Sequence, residues 1–175
     1  MLIFNERGSG MMNNNKITDD IDLEEDTQKE KYLTFVLDYE SYGIGINNVT
    51  EIIGIQPITL IPELPDYIKG VINLRGKIIP VMDVRLRFKK TFRKYNDRTC
   101  IIVVEINDLA IGLIVDSVSE VLKILDQDIV PPPNLNKVTN KYIRGIGKID
   151  KDVKLILDCD KLINDDDMDI LNDIQ

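Results

Sequence analysis

From Lys31 the chain alternates between two sets of side chains: Leu33, Phe35 and Leu37 are interleaved with Tyr32, Thr34 and Val36. A period of two over this length predicts a strand rather than a helix. DYESYG then turns the chain into YGIGI, and NNVTEII follows. Its asparagines suit a helix start and its β-branched residues keep the predicted helix short. Pro57, Pro62 and Pro65 punctuate a loop before YIKGVINL, and Arg75-Gly76 predicts a tight turn into KIIPVMDV, giving two antiparallel strands. TCIIVVEI, a turn at Asn107-Asp108 and LAIGLIVD repeat the hairpin pattern. PPP at 131–133 imposes an extended loop, and KYIRGIGKI and VKLILD flank a turn at 150–152. Near the C-terminus Leu162, Ile163, Met168, Ile170, Leu171 and Ile174 recur at roughly helical intervals, which predicts an amphipathic helix over about 158–172.

The two halves resemble each other. IGI with VTEII (44–46, 49–53) matches IGL with VSEVL (111–113, 118–122), and YIKGVI at 67–72 matches YIRGIG at 142–147. Tyr67 to Asp83 and Tyr142 to Asp158 are both 16 residues apart. The expected fold is therefore mainly β, with two small subdomains related by a degenerate repeat, short helices and a C-terminal helix. The expected boundaries are subdomain one at about 31–84, a connector at 85–98 and subdomain two at about 99–157. Glu51 recurs as Glu120, whereas Arg75 aligns with Asp150. What both copies keep belongs to the fold; what one copy keeps is a candidate for function.

Composition narrows the classes. The 175 residues make one large domain or two small ones, with enough chain to bury a core without staples. There is no histidine, which removes Ser-His and Cys-His nucleophilic pairs, the usual zinc triads and any phospho-accepting histidine. Cys100 and Cys159 lie in apolar runs and are expected as buried free thiols. No apolar run approaches the roughly 18 residues of a membrane span, and the first residues lack the apolar segment of a secretory signal. The expected location is cytoplasmic.

The formal net charge of −8 is unevenly spread. Residues 17–30 and 158–175 each carry −6, residues 1–16 carry +1, and the body 31–157 carries +3. Residues 1–30 are expected to form a flexible acidic segment, and Met1 and Met11-Met12 are alternative starts. DDDMD at 165–169 has no regular ligand spacing, so a solvated acidic face is expected there rather than a metal site. Residues 85–98, RLRFKKTFRKYNDR, hold seven basic groups and one acid. This segment is a solvated connector, a nucleic-acid or membrane patch, or a contact for an acidic partner. Phe88, Phe92 and Tyr95 interleave with its cations, as on a nucleic-acid surface, but their spacing also suits one helical turn anchored to the core.

At YGIGINNVTEII followed by YIKGVINLRGKIIPVMDVRLRF, the sequence resembles the CheW family of bacterial chemotaxis coupling proteins. The likeness continues through YNDRTCIIVV, IGLIVDSVSEVL and YIRGIGKI, over about 31–172. The kinase CheA and the protein CheV also carry such modules, but CheA would need a phosphotransfer histidine and CheV a receiver domain. The resemblance implies two interlocked five-stranded β-barrel subdomains, no catalysis and no cofactor. It implies an adaptor that joins the cytoplasmic tips of methyl-accepting chemoreceptors to CheA, through CheA's CheW-like regulatory domain, in membrane-associated arrays. It implies coupling roles for Glu51 and Arg75, a kinase-facing surface near Val49 and Gly70, and a receptor-facing surface at Thr99, Cys100, Ile101 and Val121. The alternative from the residues alone is a small-barrel nucleic-acid-binding protein using 85–98. An enzyme is disfavoured because no acid/base pair stands at a recognisable catalytic spacing.

Overall fold

The computed structural model describes residues 28–133 and 140–175, and it contains the four hairpins predicted from the sequence. The acidic segment through residue 27 and the alternative starts lie outside the described residues. β1 (Lys31–Leu37) turns into β2 (Glu40–Gly45), and a 3-10 turn at Ile46–Asn48 leads into β3 (Val49–Gly54). After the proline loop come β4 (Ile68–Leu74) and β5 (Lys77–Asp83), then a four-residue helix, α1 (Val84–Arg87). Beyond the connector lie β6 (Cys100–Ile106), β7 (Leu109–Val115) and β8 (Ser117–Lys123). The short β9 (Ile129–Val130) precedes β10 (Ile143–Ile149) and β11 (Asp152–Leu157), and the chain closes with α2 (Cys159–Leu162) and α3 (Asp165–Ile174).

Two local expectations are corrected. VTEII is strand, not helix: the asparagines make only the 3-10 turn, and Val49, Thr50, Ile52 and Ile53 then favour an extended backbone that ladders with β6. The C-terminal helix is two helices. Ile163 is extended at φ −115° and ψ 117°, and Asn164 starts α3 with a capping box closed by Asp167. The two-residue turns behave as expected: Arg75 and Gly76 have φ of 50° and 81°, Asn107 and Asp108 of 51° and 64°. Two successive positive φ values are the combination that matches the twist of paired strands.

The strands form a six-stranded sheet, ordered β8-β1-β2-β11-β10-β9, and a five-stranded sheet, ordered β3-β6-β7-β5-β4. The fold is mainly β, but among the described residues neither sheet closes into the expected barrel, because no backbone ladder joins its two edge strands. The repeat is present as topology. If β1 to β5 are matched with β6, β7, β8, β10 and β11, the two sheets have the same order, with β9 added to one. Each sheet combines the first two strands of one copy with the last three of the other, so neither sheet is one contiguous half. Equivalent contacts recur: Asp83 N–H donates to the Tyr67 carbonyl and Asp158 N–H to that of Tyr142, and each aspartate then caps a short helix.

A single core joins the sheets. Leu33, Phe35 and Ile44 of the six-stranded sheet pack with Ile102, Val104, Ile111 and Leu113 of the five-stranded sheet. Ile101, Val103 and Ile114 point to the opposite face and meet Ile72, Ile79 and Val81 in a second cluster. Both faces of β6 are therefore buried, which is why CIIVV is a continuous apolar run rather than an alternation.

Candidate functional site

Glu51 projects from β3, one edge of the five-stranded sheet, and Arg75 from the turn after β4, its other edge. Arg75 Nη2 nevertheless donates to Glu51 Oε1. A side-chain ion pair thus spans the gap that a barrel would have closed with backbone bonds. The pair belongs to the first copy alone, since the matching positions are Glu120 and Asp150. Arg75 is 71% exposed, so the pair contributes only ~0–1 kcal/mol to stability. The Arg75 guanidinium stays largely open to solvent.

The connector is organised by buried arginines, which corrects the solvated alternative for its first residues. Arg85 and Arg87 are each 7% exposed. Arg85 Nη1 reaches Asp38 Oδ1 at 2.6 Å and Asp116 Oδ2 at 2.8 Å, while its Nε donates to the Thr91 carbonyl at 3.0 Å. This contact holds the Asp38 carboxyl below its ordinary range. Arg93 Nη1 adds to Asp116 at 3.5 Å, and Lys90 Nζ meets Glu40 at 3.2 Å. Glu40 is also held low, first by the hydrogen bond it accepts from the Tyr42 hydroxyl.

Arg87 lies on the other side of α1. Its Nη2 bonds Asp167 Oδ2 at 3.0 Å, its Nε donates to the Leu162 carbonyl at 2.8 Å, and its guanidinium lies 4.3 Å from the Tyr67 ring centre and 5.1 Å from that of Tyr142. The Tyr67 hydroxyl donates to the same aspartate, and burial followed by that contact pushes its pKa up to about 12. Asp167 is 1% exposed, so the DDDMD run is not wholly the solvated face expected: one aspartate turns inward to hold an arginine. Among the described residues, no group of three His, Cys, Asp or Glu could hold a metal ion. Of the seven basic groups at 85–98, Arg85, Arg87, Lys90 and Arg93 are held by acids, which removes much of the charge a nucleic-acid surface would need.

Comparison with known proteins places this arrangement. Residues 31–167 match the family model described as the CheW-like domain. The chain is 34% identical over 150 residues to the chemotaxis protein CheW of Klebsiella aerogenes, covering 85% of this chain and 90% of that protein. It is 32% identical over 136 residues to CheW of Bacillus subtilis, covering 77% and 87%. The crystal structure of the scaffolding protein TtCheW from Thermoanaerobacter tengcongensis superposes with a TM-score of 0.74 at 40% identity, covering 79% of this chain and 95% of that one. The chain belongs to the CheW family.

The residues that the CheW resemblance singles out do not form one patch. Val49, Glu51, Gly70 and Arg75 all lie on the five-stranded sheet, as do Cys100 and Ile101, with Thr99 immediately before β6; Val121 alone is on β8 of the six-stranded sheet. Val121 is 47% exposed and available to a partner. Ile101 is fully buried in the second cluster, and Thr99 is buried with its hydroxyl accepting the Asn96 N–H at 2.9 Å. Both are therefore supports of a surface rather than contacts on it. Cys100 and Cys159 are free thiols, the first half-buried and the second buried, and burial pushes the Cys159 thiol up to about 12. Gly70 is buried, with the loop before β4 packed against it.

Residue spacing leaves several exposed apolar residues unmarked. Ile52, Leu60 and Ile78 are exposed apolar side chains on or beside the five-stranded sheet. Ile52 follows Glu51 on the edge strand and alternates with the half-buried Val49, Glu51 and Ile53. Once VTEII is recognised as a strand, that alternation places Ile52 outward. No helix among the described residues is long and apolar enough to cross a membrane.

Proposed function

We propose that the chain is a non-catalytic adaptor that couples the cytoplasmic tips of methyl-accepting chemoreceptors to the histidine kinase CheA. The kinase side engages CheA's CheW-like regulatory domain through the five-stranded sheet, and the receptor side includes Cys100 and Val121, with Thr99 and Ile101 supporting it from beneath. The observation that carries this reading is the Glu51–Arg75 pair, placed across the open edge of a sheet that also exposes Ile52, Leu60 and Ile78. A partner that covers apolar strand edges and reads one charged pair needs no reactive group from this chain.

The test is stimulation of CheA autophosphorylation by receptor cytoplasmic fragments in the presence of this chain. Arg75→Glu should reduce stimulation at least about tenfold, while the exposed pair's small energy leaves the thermal midpoint nearly unchanged. The double exchange of Glu51→Arg with Arg75→Glu should restore part of it. Full stimulation by the Arg75→Glu chain contradicts the proposal.

A further inference from the structure

A cleft of about 420 Å³ lies where the two sheets meet. Val36 and Ser117 line it from the six-stranded sheet, Ile114 and Val115 from the five-stranded sheet, and Thr99 from the end of the connector. Asp116 is the single residue between β7, in one sheet, and β8, in the other. Asp38 stands in the turn from β1 to β2 at φ 55°, and its N–H donates to Asp116 Oδ2 at 2.8 Å. Arg85, from α1 after β5, grips both carboxylates with one Nη. One side chain therefore ties the crossing point, a turn of the six-stranded sheet and the exit from the five-stranded sheet. Its own side chain is 8% exposed, and Nε is spent on the Thr91 carbonyl, so it offers little to a visitor.

The two partner surfaces depend on this tie unequally. Val49, Glu51, Gly70 and Arg75 share one sheet, so the angle between the sheets does not alter their spacing. Cys100, with Thr99 beneath it, lies on one side of the seam and Val121 on the other, so the spacing of Cys100 and Val121 is set by that angle. We infer that Arg85, held by Asp38 and Asp116, is a positioning residue for receptor docking: it fixes the seam that the receptor-facing surface spans and leaves kinase docking alone. The inference rests on the adaptor reading above. It assigns Arg85 no contact with either partner.

The experiment measures two affinities by calorimetry, one for a receptor cytoplasmic fragment and one for the CheA regulatory domain, with the wild-type chain and with Arg85→Met, Arg85→Lys and Asp38→Asn. Arg85→Met should weaken receptor binding by about tenfold or more while kinase binding stays within about twofold, a coupling of ordinary size for two linked surfaces. Arg85→Lys, which keeps the charge but not the fork, should recover part of the receptor affinity. If Arg85→Met does not fold, Asp38→Asn carries the same prediction, because Asp38 is partly exposed and Arg85 keeps Asp116. Equal loss of both affinities overturns the inference in favour of a general structural role, and unchanged receptor affinity overturns it outright. A wild-type chain that binds no receptor fragment refutes the adaptor reading instead, and does so before any substitution is made.

Discussion

Gly70 sits at φ 139°, and a Cβ placed there would lie 2.1 Å from the Thr59 carbonyl oxygen. Its counterpart Gly145 leaves the same room for the loop strand beside it, where a Cβ would lie 2.5 Å from Ile129 Cγ2. Since both copies keep the glycine, Gly70 answers a demand of the backbone. Gly70→Ala should lower stability by at least ~1–3 kcal/mol, read from the denaturant midpoint. Lost kinase binding at unchanged stability would show instead that Gly70 is a contact. Arg87 and Asp167 make the opposite case, a charged pair with side chains 6% and 2% exposed. Arg87→Met strands a buried carboxylate and should cost ~3–5 kcal/mol in urea unfolding, against the near-neutral effect expected for reversal at Arg75. At this scale the sequence showed which residue types stood out, but not burial. Arg75 and Arg87 are both arginines near turns, and only long-range packing separates an exposed one from a covered one.

Among the elements, the hairpins were legible because period-two patterning and turn chemistry act within a few residues. VTEII differs from its expected helix because a cap signal and a β-branched run compete locally, and the ladder with β6, about fifty residues away, decides between them. In the connector the helical turn anchored to the core is legible from the spacing, but the burial of Arg85 and Arg87 is not, because their partners Asp38, Asp116 and Asp167 are distant in sequence. The Arg85 network also has a pH signature. The folded pKa of Asp38 lies below its unfolded value, so the stability it contributes is present above about pH 4 and is lost as pH falls through the lower folded value. Asp38→Asn should therefore flatten the acid side of the curve of thermal midpoint against pH. Parallel wild-type and variant curves below about pH 4 would deny Asp38 that role.

For the whole molecule, the repeat was visible as two short matches at one spacing, and it appears as two sheets of equivalent order. The exchange of strands between copies was not visible from residue spacing, because a pairing pattern states which segments are strands and not which neighbours they choose. That exchange bears on the proposed adaptor role. It places residues from both copies in each sheet, brings the β7–β8 crossing to the seam, and sets a one-sheet surface beside a surface that spans both sheets. An adaptor needs two such surfaces at once. The most direct measurement is co-sedimentation of the full chain with receptor cytoplasmic fragments and CheA at micromolar concentration, scored for all three proteins in one complex. A ternary complex that persists at raised salt is expected, as apolar docking requires; pairwise complexes without the third component, or no complex at all, would refute the adaptor role.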